Sequence, residues 1–296
     1  MLIDLHVHST ASDGTLSPSD LVSKAKEKGI SLLSLTDHDT TGGLEEFERA
    51  CIVHKLAGLN GIELSAEHRC IVHILGYGFD YNDPSLQKAL ATIRIHRHER
   101  NAAICEKLRS LGMEITLEEV VRESNGEVIA RPHIAKVLLR KGYVSDIKEA
   151  FVKYLGRGAP AYVARKTLSP DRCIALINNA KGLSVLAHPG EMRLTFDELE
   201  KLLEKLKSFG LWGLECYSSH HRAEDIFSFL KLADKFDLQP TAGSDFHGSI
   251  RPGFEMGIDV PNHMVPEELI SLAKKKIGNS SGVCINIHSS LSYEPD

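Results

Sequence analysis

Ile3-Asp4-Leu5-His6-Val7-His8-Ser9-Thr10-Ala11-Ser12-Asp13-Gly14-Thr15 sets two histidines and a carboxylate at the end of a short apolar run. On a strand, residues two apart share one face, so His6 and His8 point the same way. An α/β barrel gathers its ligands at such strand ends. Two neutral imidazoles with a nearby carboxylate are donors that Zn, Mn and Fe accept. One H-x-H alone would also suit a pair of solvated histidines, and its weight comes from repetition. Thr36-Asp37-His38-Asp39 follows Leu32-Leu33-Ser34-Leu35, Glu63 lies in Gly61-Ile62-Glu63-Leu64-Ser65, and His73 interrupts Ile71-Val72-His73-Ile74-Leu75-Gly76. His188 ends Ser184-Val185-Leu186-Ala187-His188-Pro189, and Gly243-Ser244-Asp245-Phe246-His247 closes the series. Each polar residue ends or interrupts a strand-like run where a plain core would ask for Val or Ile.

Strand-like runs over 2–7, 31–36, 58–64, 70–78, 183–187, 212–217 and 239–244 alternate with helical patterns over 18–29, 44–56, 170–180, 196–209 and 223–236. Such alternation implies a parallel sheet closed or nearly closed into a barrel. Between Asp83 and Lys166 the strand signals vanish, and helices are predicted over 85–111, 117–123, 133–141 and 146–155. The expected organisation is a barrel in two parts, 1–82 and 167–278, with a helical insertion over 83–166 and a tail over 279–296. An insertion between the His73 and His188 strands would hang over the ligand-bearing mouth as a lid or specificity element.

A chain of 296 residues, 42% hydrophobic and 25% charged, can bury a large core as one barrel. A formal net charge of −5 argues against a coat on duplex DNA, which needs a broad Lys/Arg surface, but leaves room for a local basic pocket. Cys51, Cys70, Cys105, Cys173, Cys216 and Cys284 show no C-x-x-C spacing, and no signal-peptide pattern opens the chain. Reduced thiols in a cytoplasmic protein are therefore expected. No apolar run approaches the roughly 18 residues of a membrane span.

The order of the motifs resembles the PHP superfamily, named for polymerase and histidinol phosphatase domains. D-L-H-V-H-S runs from Asp4 to Ser9, S-D-G from Ser12 to Gly14, T-D-H-D from Thr36 to Asp39 and G-I-E-L-S from Gly61 to Ser65. H-I-L-G-Y follows from His73 to Tyr77, A-H-P from Ala187 to Pro189 and G-S-D-F-H from Gly243 to His247. More narrowly, Ala130-Arg131-Pro132-His133 and the stretch from Tyr154 to Val163 look like one branch of that superfamily. That branch removes the 3′-phosphate of nucleoside 3′,5′-bisphosphates and trims short 5′-phosphorylated RNA. The resemblance implies a distorted (β/α)7-like barrel with three metal sites. His6, His8, Glu63 and Asp245 would form the first; Glu63 as a bridge, with His73 and His188, the second; Asp13, His38 and His247 the third.

Two metals about 3.5–4 Å apart can bridge a water, lower its pKa and clamp a phosphoryl group, so hydroxide held between the first two is the expected nucleophile. Imidazoles mixed with carboxylates suit Mn, Zn or Fe over Mg; two or three divalent ions are expected, Mn first. Besides the ligands Glu63 and Asp245, His220 on the rim after Tyr217 is a candidate proton donor, against a solvated loop histidine. Asp37 and Asp39 are candidate acceptors for a ligand imidazole, against a turn or helix cap. Arg131 and His133, opening a helix, are expected to grip a phosphate. Arg157 and Lys166 are weaker phosphate candidates, while Arg165 and the charges of the long helix, Arg94, His96, Arg97, His98 and Arg100, read as solvated. The function expected is a phosphoesterase acting on a small phosphorylated nucleotide or short RNA. Histidinol phosphate phosphatase, amidohydrolase or deaminase chemistry, and a non-enzymatic metal-binding module are its rivals.

Overall fold

The computed structural model describes residues 1–124 and 128–278. It begins β1 (Leu2–Val7), α1 (Pro18–Glu27), β2 (Leu32–Leu35), α2 (Leu44–His54), β3 (Ala57–Ala66), β4 (Val72–Tyr77). Four helices follow, α3 (Pro84–Ser110), α4 (Leu117–Ser124), α5 (Arg131–Arg140) and α6 (Ile147–Ala150), the last running into a π-helical turn over Phe151–Leu155. The chain then resumes alternation with α7 (Pro170–Asn179), β5 (Leu183–Leu186), α8 (Phe196–Ser208), β6 (Gly213–Ser218), α9 (Ala223–Lys235) and β7 (Gln239–Gly243). It ends with β8 (Ile258–Asp259) and α10 (Glu267–Gly278). Local grammar sets these starts: Ser17 accepts from Asp20 N ahead of Pro18, and Thr195 with Glu198 forms a capping box before α8. The expected tail and Cys284 lie outside the described residues. No helix among the described residues is long and apolar enough to cross a membrane.

The strands make one sheet in the order β7-β6-β5-β4-β3-β2-β1-β8. The gap is closed where the chain leaves β7: His8 N donates to Phe246 O at 2.9 Å and Asp245 N to His6 O at 2.9 Å. The result is the expected distorted barrel, with a two-residue eighth strand lying antiparallel on Leu2 and Ile3.

The sheet is not wholly parallel, which corrects the sequence reading. β4 runs antiparallel to both β3 and β5. Only residues 67–71 join β3 to β4, too few for the crossover a parallel partner needs, so the chain must turn straight back. Two consequences follow. His73, near the start of β4, pairs with Ser65 near the end of β3 and so lies at the ligand-bearing end. The helices after β4 leave from the opposite end, and α3 brings the chain back: 27 residues span about 40 Å at 1.5 Å each. Its first half contributes Leu86, Leu90 and Ile93 to the main core. Its last half contributes Ile104, Cys105 and Leu108 to a separate core with residues of α4, α5 and α6.

In β3, Ile62 and Leu64 join the main core. Alternation turns Glu63, fully buried, to the opposite face with the histidines. Cys51, Cys70, Cys105, Cys173 and Cys216 are all unpaired, and burial pushes the thiols up, Cys105 to about 11. Mass mapping without reductant is expected to find no fixed bridge among these five; a stoichiometric disulfide in fresh protein would overturn that.

Candidate metal centre

Glu63 is the hub. Its Oε1 lies 2.7 Å from His73 Nδ1, 3.0 Å from His188 Nε2 and 3.5 Å from His6 Nε2. Its Oε2 lies 2.7 Å from His38 Nδ1 and 3.3 Å from His8 Nε2. Asp245 Oδ1 stands 3.2 Å from His8 Nε2 and 3.5 Å from His6 Nε2, and Asp13 Oδ1 stands 3.4 Å from His247 Nε2. Ligand atoms converge in groups that could each hold a cation. They include His6, His8, Glu63 and Asp245; His8, Asp13, His38 and His247; and His38, Glu63 and His73. His188 Nε2 is 3.2 Å from His73 Nδ1, so it shares the third of these neighbourhoods. A further grouping, His188, Glu191 and Asp245, brings in Glu191, which the sequence reading did not name.

These residues fit divalent cations on chemical grounds. His6 Nε2, both ring nitrogens of His8, Asp13 Oδ1, His38 Nδ1, Glu63 Oε2 and His247 Nε2 are buried with no hydrogen bond of acceptable geometry. Stranding so many polar atoms is costly unless a cation takes their lone pairs. Burial opposes ionisation of Glu63, yet the imidazoles of His38, His73 and His6 outweigh it and hold the carboxyl well below its ordinary range. Burial, with His247 alongside, brings His8 down to about 3, the neutral form a ligand needs.

A ring of buried carboxylates holds the ligands. Glu215 Oε1 lies 3.0 Å from His6 Nδ1 and Glu215 Oε2 accepts from His188 N at 2.6 Å. One carboxylate thus orients ligands of two neighbouring positions and leaves His6 Nε2 free to ligate. A Cβ on Gly243 would meet Glu215 Oε1 at 2.6 Å and His6 Cβ at 2.2 Å, so only glycine fits there. Asp4 accepts from Ser244 N at 2.9 Å and Ser244 Oγ at 2.6 Å, and burial pushes it up to about 6 despite these bonds. Asp37 accepts from Ser9 N at 2.8 Å and from Ser12 Oγ, pinning the loop that carries Asp13. Backbone strain collects here as well: Asp39 (φ 53°), His188 (φ 25°) and Asp245 (φ 56°) all adopt positive φ. Glu215→Gln is expected to weaken metal binding about ten- to a hundredfold. Competition with a fluorescent chelator measures this, and unchanged affinity would remove Glu215 from the site.

On the rim, His220 Nε2 lies 3.0 Å from Asp245 Oδ2 and its Nδ1 3.2 Å from Glu191 Oε1. Arg251 donates to the same Asp245 Oδ2.

Beside the ligands stands a group of arginines. Arg97 and Arg100, read from sequence as solvated, are 2% and 4% exposed. Arg97 donates to Asp39 from Nε and Nη2, while its Nη1 is buried without a partner. Among the described residues, the Arg100 guanidinium bonds only the side-chain oxygen of its neighbour Asn101. Arg165, also read as solvated, reaches Ser65 Oγ. Arg131 donates to Leu155 O at 3.0 Å and its guanidinium lies 5.8 Å from the rings of Phe151 and Tyr162. Burial first, then Arg165, Arg97 and Arg131, drives Arg100 well below its ordinary value. Burial and Arg97 bring Arg165 down to about 9 although Asp39 and Asp13 oppose them. His133 is buried, accepts from Ala130 N at 3.0 Å on Nδ1, and is brought down by burial to about 4. Arg157 is exposed and donates to Arg69 O at 2.6 Å, and Lys166 is exposed; neither joins the guanidinium group.

The PHP domain family matches residues 4–184. A 3′,5′-nucleoside bisphosphate phosphatase of Chromobacterium violaceum is 37% identical over 257 residues, covering 86% of this chain and 90% of that protein. A 5′-3′ exoribonuclease of Haemophilus influenzae is 36% identical over 246 residues, covering 82% and 89%. The solved structure of an amidohydrolase from C. violaceum, with sulfate bound and no metal, has a TM-score of 0.83 to this chain. The two are 35% identical, with 91% of this chain and 96% of that one covered. Motif order, barrel and ligand cluster agree with these likenesses, and the chain belongs to the PHP family.

Proposed function

We propose that this PHP phosphoesterase hydrolyses a phosphate ester in a small nucleotide carrying a second phosphate, either a nucleoside 3′,5′-bisphosphate or the 5′-phosphorylated end of a short RNA. The observation that carries this reading is the arginine group beside the candidate metal ligands, Arg97 and Arg100 buried and Arg131 and Arg165 half-buried. Burial and neighbouring guanidiniums lower Arg100, Arg131 and Arg165, with Arg97 among those neighbours, and Asp39 is the one carboxylate bonded to any of the four among the described residues. Like charges held this way call for an anion, and guanidinium forks match phosphate oxygens. The C. violaceum relatives support it: one is named for bisphosphates, the other holds sulfate.

When bound, the cations supply an acidified water and positive charge against the phosphoryl oxygens; Mn is proposed, with Zn or Fe as alternatives. The chain's own residues do the rest. Glu63 spaces the imidazoles by engaging them with both oxygens. Asp245 turns Oδ1 towards His6 and His8 while His220 and Arg251 hold Oδ2. His220, between Asp245 and Glu191, is assigned the proton for the leaving oxygen.

The test is phosphate release by Mn-loaded protein from a nucleoside 3′,5′-bisphosphate, the matching monophosphates, histidinol phosphate and an amide substrate. The bisphosphate is expected to be turned over with the highest kcat/KM. Preference for histidinol phosphate, or amide cleavage without phosphate release, would overturn the reading.

A further inference from the structure

Arg251 is a charged group at the metal centre to which neither the sequence motifs nor the second-phosphate pocket assigns a role. It lies on the loop after β7, carried by the barrel and not by the helices of the arginine group. The loop is tied down. Thr15 Oγ1 accepts from Ser249 N at 3.1 Å, and Gly248 (φ 71°) packs so tightly on Thr15 that a Cβ would meet Oγ1 at 1.9 Å. Phe254, three residues on, lays its ring 4.6 Å from that of His220. The guanidinium is therefore held at the rim, and with a side chain 35% exposed it still faces the opening.

Among the described residues its one hydrogen bond goes to Asp245 Oδ2, the oxygen turned away from His6 and His8. The carboxylates of this centre are Asp245, Glu191, Asp13 and Glu63. All four carboxylates belong to groups that could hold a cation. Two divalent cations would neutralise those four charges and leave the four remaining N–H donors of the guanidinium, at the opening, able to take an incoming anion. The reaction proposed above brings one to this spot: the phosphoryl group being transferred.

We propose that Arg251 grips the scissile phosphoryl group directly, as a catalytic residue separate from the guanidiniums that hold the second phosphate. This rests on the phosphoesterase reading, and the test keeps the two apart. Inorganic phosphate, the product of the cleaved ester, is titrated calorimetrically into metal-loaded and metal-stripped protein, with metal content followed by elemental analysis. Arg251→Ala is expected to keep its metal and lose about ten- to a hundredfold in metal-dependent phosphate affinity, the scale of a charge-assisted contact. Arg251→Lys, which keeps the charge but not the fork, is expected to lie between the two. Equal phosphate affinity in wild type and both variants would overturn the assignment. So would loss of metal from Arg251→Ala, which would make the residue a support for Asp245 alone. No metal-dependent phosphate binding in the unsubstituted protein would instead sink the phosphoesterase reading, and the assignment with it.

Discussion

Glu63→Gln is expected to shed at least one equivalent of metal and to lose about a thousandfold or more in turnover, the scale on which preorganised charge is lost from an active site. The substitution keeps shape and volume, so the effect reads chemistry. Both oxygens are engaged by imidazoles from different strands and loops: Oε1 by His73 and His188, Oε2 by His38. An amide offers one oxygen and no charge, and its nitrogen would be turned on nitrogens that need to keep lone pairs for a cation. Loss at this residue should therefore disturb two neighbouring positions together, where Asp13→Asn, at the edge of the cluster beside His247, should disturb one. Elemental analysis after gel filtration separates the cases. Wild-type metal content with ordinary turnover would end the bridging role.

The convergence of the candidate ligands was legible because the barrel forces it to be. A side chain that must meet others at the mouth has to end or interrupt an apolar run, and His6, His8, Glu63, His73, His188 and Asp245 do. Glu215 gives the same signal within Leu214-Glu215-Cys216 and could have been found by the same rule, but it stands in no motif with a histidine. The direction of β4 was encoded in the five residues between it and β3, a length that a pattern of alternating elements passes over. Arg97 and Arg100 were hidden for a different reason. α3 joins two apolar cores, Leu86 to Ile93 at one end and Ile104 to Leu108 at the other, and one face of its polar middle, Arg97, Arg100 and Asn101, is buried because the candidate site lies between them. Helical periodicity reports burial only when the buried face is apolar, so a buried charged face looks like a solvated one. Arg165 was concealed likewise, since a charge beside an exposed Lys166 reads as surface until Ser65 and Asp39 are seen opposite it.

The arginine group makes its own prediction, and Arg131 is the residue on which to test it. Removing Arg97 would strand Asp39, a buried carboxylate, and such losses cost about 3–5 kcal/mol of stability, confusing any binding measurement. Arg131 has no carboxylate partner among the described residues; it bonds a backbone carbonyl and lies over two rings. Its loss also relieves repulsion, because Arg97 and burial both act against its charge. Arg131→Ala is therefore expected to fold with a melting temperature close to wild type. If the guanidinium holds the phosphate that is not cleaved, its contact exists before and during the chemical step, so substitution should raise KM and spare kcat. A charge-assisted contact contributes about 1.5–3 kcal/mol, which corresponds to about ten- to a hundredfold in KM for a nucleoside 3′,5′-bisphosphate. A nucleoside 3′-monophosphate, lacking the anchoring group, should be cleaved by variant and wild type alike. Equal losses on both substrates would move Arg131 to the reacting phosphate, and no loss on either would leave it a packing residue between Phe151 and Tyr162.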